Sequence, residues 1–370
     1  MRRALVQIHL WLGLVVGLLW ALQGLTGAAL IFHRELDRQG VGAMAPGAMV
    51  SLDRIVAVTE AQSGANVTMI GIADRPGDIL NVYYSGGVPR QLQVEAATGR
   101  PLRDRSNDPA TPFDGSAWRW VYQLHESLLL HDRGETLIGA SGLLLFSSLV
   151  TGLWLGFPRR RQWKQALGWR GWASLRAKLF GWHRLAGITA GALLLFTVPG
   201  GIWMAFAAEI RPRLATIVAH ELPYKPAPVA RLGKIISPQQ ALTLARSQFP
   251  QAAFVRLTMP TAASPVYSVR LRQPGETRVW SGVTTVTIDA QSGRTRHVYD
   301  AVRAPLSNRL ADAAFSVHSG EIAGVFGRIL LMLAGLSLPA LYVTGVWAWW
   351  RKRGRTSSRP RPAQAVPEPA

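Results

Sequence analysis

The sequence predicts a membrane α-helical bundle of four spans that carries α+β domains on one side of the bilayer. Three observations lead to this prediction: four long uncharged apolar stretches, a one-sided distribution of basic residues and an internal repeat. The chain has 370 residues, of which 48% are hydrophobic and only 17% are charged, below the usual quarter. Such a composition is typical of a membrane protein with sizeable outer parts.

Four apolar stretches contain no Lys, Arg, Asp or Glu, and they cover residues 10–32, 137–157, 185–208 and 329–350. Each has about 20 residues or slightly more, which at about 1.5 Å rise per residue crosses a hydrocarbon core of about 30 Å. The first stretch is longer than the apolar core of a signal peptide, roughly 7–15 residues. We therefore interpret it as an uncleaved membrane anchor.

The basic residues predict which side of the bilayer each segment faces. Fifteen of the 41 lysines and arginines lie in three segments, 2–3, 158–178 and 351–362, and Glu368 is the one acidic residue of these segments and the remaining tail. The positive-inside rule assigns both termini and the 158–178 loop to the cytoplasmic face of a bacterial inner membrane. The two long intervening segments are then periplasmic. Because the net charge of +20 is explained in this way, we expect no nucleic-acid partner.

Two pairs of histidines indicate an internal repeat. His9 and His183 are each followed by glycines four and eight residues later, and their numbers differ by 174. His125 and His318 each lie 26 residues before the threonine of a Val-Thr-Gly sequence, and their numbers differ by 193. In both halves the order is span, helix, strands, histidine, span. This order predicts two parallel repeats related by a pseudo-twofold axis along the membrane normal.

The outer segments predict α+β domains without a nucleotide-binding loop. Each has a serine-capped amphipathic helix (51–64 and 237–250) and β-branched strands that end in an acidic residue and a Gly turn. The predicted parts are transmembrane helix 1 (1–33), a first periplasmic domain (34–116), an interfacial helix with transmembrane helix 2 (117–158), a basic cytoplasmic loop (159–178), transmembrane helix 3 (179–208), a second periplasmic domain (209–312), an interfacial segment with transmembrane helix 4 (313–351) and a cytoplasmic tail (352–370).

The four repeated histidines are candidate ligands of haem iron. The chain has no cysteine, which excludes iron–sulfur clusters and thiolate metal sites. A pseudo-twofold axis would bring His9 to His183 and His125 to His318, and two facing imidazoles can supply both axial ligands of a haem. The glycines four and eight residues after His9 and His183 would leave room for a planar macrocycle. They equally suit close helix packing, and a single interfacial histidine is equally often a packing residue.

His33 and His131 are competing candidates, because both lie at the outer ends of spans. Their repeat equivalents are not histidines, so neither belongs to a symmetric pair. They could bind a haem with each other, or one of them could replace His125 or His318. We assign no catalytic side chain from the sequence.

The chain resembles the PepSY-associated transmembrane family over nearly its whole length. The resemblance rests on "IHLWLGLVVGLLWALQGLTGAALIFHRELDR", on "ISPQQALTLARSQFP" with "VTIDAQSGR", which is similar to the PepSY module itself, and on "VHSGEIAGVFGRILLMLAGL" before "TGVWAWW". Bacterial members accompany iron–siderophore uptake, and one branch contains ferric-siderophore reductases that hold haem b. PepSY modules elsewhere inhibit peptidases.

The resemblance therefore implies two haems b and reduction of a ferric siderophore on the periplasmic side. The sequence shows no flavin or nicotinamide motif, so we expect a separate cytoplasmic or quinol electron donor. The alternative is a non-enzymatic membrane module that binds or regulates a peptidase or another partner protein. Transport of the siderophore itself is disfavoured, because the four spans contain no carboxylate.

Overall fold

A computed structural model describes residues 2–42, 44–73, 78–158, 161, 163 and 174–356. Most of the predicted cytoplasmic loop and tail lies outside these residues. The helices are α1 (Arg2–Val15), α2 (Gly17–Leu30), α3 (His33–Arg38), α4 (Leu52–Ser63), α5 (Ala117–Ser127), α6 (His131–Gly156), α7 (Leu175–Ala205), α8 (Ala207–Ala215), α9 (Pro238–Gln248), α10 (Leu306–His318) and α11 (Gly324–Thr356). The strands are β1 (Val67–Ile72), β2 (Ile79–Ser85), β3 (Pro89–Glu95), β4 (Pro101–Ser106), β5 (Ala253–Thr258), β6 (Val266–Arg272), β7 (Thr284–Asp289) and β8 (Thr295–Tyr299).

The described chain contains three helical segments that are long and apolar enough to cross a membrane: His131–Gly156 in α6, Ala177–Ala205 in α7 and Glu321–Arg351, which is mostly in α11. The first predicted span is divided into α1 and α2, which are bent by 61° and which count as a fourth span if they cross together. The last of these segments begins at Glu321, eight residues before the uncharged stretch predicted from sequence. Arg328 therefore lies within α11 rather than outside the last span.

The contacts of the chain separate into two compact units. A helical unit contains Met1–Leu25, Leu144–Leu195 and Leu333–Ala370, and a sheet unit contains Thr26–Leu143 and Phe196–Met332. The helical unit contains His9 and His183, and the sheet unit contains His125 and His318.

The sheet unit is built on one antiparallel sheet of eight strands. Its strand order is β4-β3-β2-β1-β5-β6-β7-β8, so the two four-stranded meanders join through their first strands. The joining register pairs Ile70 with Leu257 and Gly71 with Arg256. The sequence analysis describes two outer domains, whereas the structure places the strands of both in a single sheet.

One face of the sheet carries the apolar core, and α4 and α9 cover it. Leu52, Ile55 and Leu242 of these helices pack with alternate strand residues such as Leu257 and Ile288, and all five are fully buried. The remaining strand positions point to the other face and are mostly polar, as the two-residue period of a strand requires.

The serine caps that the sequence predicts are present, and they are linked to one another. Ser51 accepts a hydrogen bond from the backbone of Arg54, and Ser237 forms a reciprocal capping box with Gln240. The carboxylate of Asp53 in α4 accepts from the Ser237 hydroxyl at 2.8 Å and from the Gln239 backbone N–H at 2.9 Å. These bonds fix the ends of the two helices relative to each other.

Candidate functional site

The first histidine pair lies in the helical unit, where α1 carries His9 and α7 carries His183. The two ring centres are 6.3 Å apart, and the ring planes are nearly perpendicular at 79°. The Nδ1 atom of His9 lies 3.1 Å from the carbonyl oxygen of Ser148 on α6. The Nδ1 atom of His183 lies 3.1 Å from the carbonyl oxygen of Leu341 on α11.

These carbonyl contacts are hydrogen bonds in the tautomer that carries the proton on Nδ1, because a carbonyl oxygen only accepts. The Ser148 and Thr344 hydroxyls, 3.2 and 3.1 Å from the same Nδ1 atoms, can accept from that N–H as well. In a neutral imidazole the other nitrogen, Nε2, then keeps its lone pair. In this tautomer Nε2 of His9 and of His183 carries a lone pair, and a backbone carbonyl orients each ring.

Glycines allow both rings to lie close to a neighbouring helix. A Cβ atom on Gly152 of α6 would lie 2.7 Å from Cε1 of His9, and one on Gly345 of α11 would lie 3.4 Å from Cε1 of His183. The first distance is too short for any side chain unless the ring moves. The glycines predicted to leave room for a macrocycle differ: a Cβ on Gly13 would meet nothing within 4 Å, whereas one on Gly17 would lie 2.7 Å from Tyr342.

The second pair lies in the sheet unit, where His125 is near the end of α5 and His318 is the last residue of α10. Their ring centres are 6.1 Å apart with planes tilted by 47°. Nδ1 of His318 lies 3.0 Å from the carbonyl oxygen of Thr197, and Nδ1 of His125 lies 3.0 Å from the Thr26 hydroxyl. Burial lowers the pKa of His318. Because the Thr197 carbonyl can only accept, its contact with Nδ1 corresponds to the same Nδ1–H form as in the first pair. The lowered pKa keeps His318 neutral at pH 7.

Glycines again lie against the rings of the second pair. A Cβ on Gly27 would lie 2.9 Å from Cε1 of His125, and one on Gly201 would lie 2.9 Å from Cε1 of His318. These glycines follow the two offsets of the repeat. Gly27 and Gly201 are 174 residues apart, the offset between His9 and His183. Gly152 and Gly345 are 193 residues apart, the offset between His125 and His318. The sequence analysis did not identify these glycines, although the repeat offsets could have revealed them.

The ring separations agree with two imidazoles bound to one metal ion from opposite sides. Metal–nitrogen bonds of about 2.0–2.1 Å, with each ring centre about 1.1 Å behind its nitrogen for ring bonds near about 1.33 Å, place the two centres about 6.3 Å apart. The observed separations are 6.3 and 6.1 Å. The described residues contain no group of three or more His, Asp or Glu side chains that could hold a metal ion. Each pair offers two imidazoles, so a metal ion held there would need its other ligands from elsewhere, as haem iron has four from its porphyrin.

The remaining candidate histidines lie apart from one another in the described chain. His33 donates from Nδ1 to the Leu30 carbonyl oxygen at 2.5 Å, and its ring centre is 5.9 Å from that of Trp118. His131 is exposed at the start of α6 and has a positive φ of 53°. The structure thus brings together the two symmetric pairs and does not bring His33 to His131.

An ion pair in the sheet unit joins a buried arginine at the start of α11 to a partly exposed glutamate of α3. The Arg328 guanidinium donates to both carboxylate oxygens of Glu35, at 2.5 and 2.9 Å, and lies 4.4 Å from the ring centre of Phe32. Arg328 is only 7% exposed. Burial raises the pKa of Glu35, but hydrogen bonds and charge attraction from Arg328 outweigh it and hold that pKa below its usual range. The uncharged stretch 329–350 begins just after Arg328, and nothing local in the sequence indicates Glu35, which lies 293 residues away.

Comparison with known protein families gives one match. The family described as PepSY-associated TM region matches residues 6–352, which include both histidine pairs and all eight strands. No curated protein matches the chain. The resemblance predicted from the sequence motifs is therefore confirmed. With its apolar helices and its antiparallel sheet, the chain is a membrane protein that belongs to the PepSY-associated transmembrane family.

Proposed function

We propose that this protein is an inner-membrane electron-transfer protein that holds two haems b and reduces ferric siderophores on the periplasmic side. The observation that carries the proposal is the geometry of the two imidazole pairs. Both have the ring separation of bis-histidine ligation, and three of the four Nδ1 atoms donate to backbone carbonyls. His9 and His183 would hold one haem, and His125 and His318 would hold the other.

The backbone around each pair would orient the ligands and increase their basicity. A carbonyl that accepts from Nδ1–H strengthens the lone pair of Nε2 and fixes the ring plane. Gly152 and Gly345 let the first pair lie against the neighbouring helices, and Gly27 and Gly201 do the same for the second. Haem b with two histidine ligands supplies one-electron transfer and leaves no coordination position open for oxygen.

The direction of electron flow follows from the predicted orientation. With the basic segments in the cytoplasm, a haem held by His9 and His183 would be placed to take electrons from a cytoplasmic or quinol donor, and one held by His125 and His318 would be placed to supply them on the periplasmic side. One electron reduces one ferric ion to a ferrous ion. Ferrous iron is less strongly held by the oxygen ligands of a siderophore, because it is the softer and less charged ion.

The span–domain–span repeat supports this arrangement. Each half supplies one histidine to each pair, and the partner glycines follow the same offsets of 174 and 193. The sheet order is also symmetrical, because the two meanders join through their first strands, so that each strand of β1–β4 has an equivalent in β5–β8. We propose that the eight-stranded sheet is periplasmic, and that the ferric siderophore docks near the segment 118–125.

Anaerobic mixing tests the proposal. The purified protein is reduced chemically and mixed with a ferric hydroxamate siderophore and ferrozine, while its visible spectrum is recorded. We expect the reduced α-band to disappear as ferrozine turns coloured. His318→Ala should abolish the reaction, whereas the control His297→Ala, which removes an outer histidine paired with Glu221, should not.

Two outcomes would contradict the proposal. If the reduced protein keeps its α-band with every ferric siderophore, it is not a siderophore reductase. If the protein is colourless after growth with ample iron, the histidines pack without haem. The non-enzymatic module that binds a partner protein would then be favoured.

A further inference from the structure

The polar face of the sheet contains a cavity that the histidine pairs do not use. Its volume is about 170 Å³, and it lies in the sheet unit among residues of α3, β1, β2, β5, β6 and the segment before β7. Three arginines line it, Arg34, Arg256 and Arg270, together with the aromatic side chains of Tyr83 and Trp280. The cavity is therefore both strongly cationic and partly apolar.

Two of these arginines face each other across neighbouring strands. Arg256 of β5 is the direct register partner of Arg270 of β6. On its other side Arg256 is paired with Gly71 of β1, which has no side chain to fill the space beside it. Like charges directly opposite one another destabilise a sheet. This arrangement needs an anion to offset the repulsion.

Among the described residues, Asp312 and Glu276 lie near enough to attract Arg270, but neither carboxylate forms an ion pair with it. Neither Arg256 nor Arg270 forms an ion pair or a side-chain hydrogen bond with a described residue, and the Nε atom of Arg270 is buried without a partner. The carboxylate nearest to Arg34 belongs to Glu321, at 4.0 Å. Burial, with Arg256 and Arg278 nearby, lowers the pKa of Arg270 to about 10 against the attraction of Asp312 and Glu276, so the guanidinium remains charged at neutral pH. A buried charge that lacks a partner is costly unless a ligand provides one.

We propose that this cavity binds a small multivalent carboxylate, of the di- or tricarboxylate class, from solution. A guanidinium recognises a carboxylate through two parallel N–H···O bonds, and Arg256, Arg270 and Arg34 together offer more than one such fork. Apolar groups of Met69, Val255 and Trp280 also line the cavity. They suit a carbon skeleton that carries the carboxylates better than they suit inorganic phosphate. The site uses none of the four paired histidines, so it is independent of the proposed electron transfer.

The test measures anion binding to the full-length protein in detergent micelles. Citrate, succinate and phosphate are titrated at constant ionic strength, with triethyl citrate as the uncharged control. The melting temperature and the tryptophan fluorescence are followed, and Trp280→Phe identifies the signal that comes from the cavity. We expect saturable binding of citrate, weaker binding of succinate and phosphate, and no binding of the ester.

Arginine variants assign the binding to the cavity. Arg270→Gln and Arg256→Gln should each weaken citrate binding by about tenfold or more, the cost of one lost charge-assisted pair. Without citrate they should melt at the same temperature or higher, because a like-charge repulsion has been removed. The matched control Arg246→Gln changes an exposed arginine of α9, on the opposite face of the sheet, and should bind citrate as the unmodified protein does.

Three kinds of result would overturn the proposal. The first is that binding at the cavity is not seen: either no anion binds to the unmodified protein, or Arg246→Gln loses binding as much as Arg270→Gln does. The second is that citrate binds only after Asp74→Asn. Asp74 follows the cavity residue Ala73 and lies outside the described residues, and in that case it would be the internal counterion. The third is that Arg270→Gln lowers haem content without any citrate binding to lose, since the arginines would then serve the carboxylates of the cofactor.

Discussion

Replacing Gly152 with alanine tests whether the close approach of His9 to α6 matters for ligation. The added Cβ would lie 2.7 Å from Cε1 of His9, whereas carbon atoms in contact prefer about 3.5–4.0 Å. The imidazole must therefore move by about 1 Å. Metal–ligand distances tolerate only about 0.2 Å, so Gly152→Ala should lower haem affinity at His9 and His183 by at least the roughly 10–100-fold typical of perturbing a partner of the ligand.

The comparison is made with two other glycines of the helical unit. A Cβ on Gly345 would lie 3.4 Å from His183, and one on Gly156, a turn after Gly152, would lie 3.7 Å from Arg184 and Ile188. Haem content per chain, measured as the pyridine haemochrome, should fall most in Gly152→Ala, less in Gly345→Ala and not at all in Gly156→Ala. Alanine favours helix over glycine by about 0.5–1 kcal/mol, so lower helix propensity cannot cause the loss. Full haem content in Gly152→Ala would refute the role assigned to this contact.

Three further predictions concern other parts of the chain. Gly13→Ala should lower haem content without lowering the melting temperature of haem-free protein, because apart from the backbone of its own helix no described atom lies within 4 Å of the added Cβ; unchanged haem content would place the macrocycle elsewhere. Glu95→Gln should flatten the acid dependence of stability. The pKa of Glu95 is lowered from 4.5 to about 2, chiefly by the Thr98 hydroxyl and then by the Ala45 N–H and Arg100. The contribution of Glu95 to stability is therefore complete above pH 4.5 and is lost as the pH falls through 2. A urea midpoint that falls equally in both proteins over that range would contradict this. Glu35→Gln and Arg328→Met should show a coupling of about 0.5–3 kcal/mol in a double-mutant cycle of unfolding, and additive effects would show that their ion pair is not stabilising.

Features that depend on local sequence could be predicted. The uncharged stretches located the apolar helices to within several residues, and the caps at Ser51 and Ser237 were visible because capping depends on residues three positions apart. The histidine pairs could be proposed because equal spacing in two halves indicates equivalent positions. The structure brings the members of each pair to within 6.3 and 6.1 Å between ring centres.

Features that depend on long-range register could not be predicted. The pairing of β1 with β5, which joins the two meanders in one sheet, is not encoded in the period of either strand. The same pairing sets Arg256 beside Gly71, and the β5–β6 register sets it opposite Arg270, so the cationic cavity was invisible in the sequence. The bend between α1 and α2 was also missed, because the apolar stretch continues through it without Pro or charge.

Haem counting on histidine variants tests the central claim most directly. The account predicts two haems b per chain in the unmodified protein. His9→Ala and His183→Ala should each leave the same single haem, and His125→Ala and His318→Ala should each leave the other, with distinct α-band positions or midpoint potentials identifying them. His33→Ala and His131→Ala should retain both haems. The assignment of the ligands is contradicted if His33→Ala or His131→Ala loses a haem while His125→Ala keeps two.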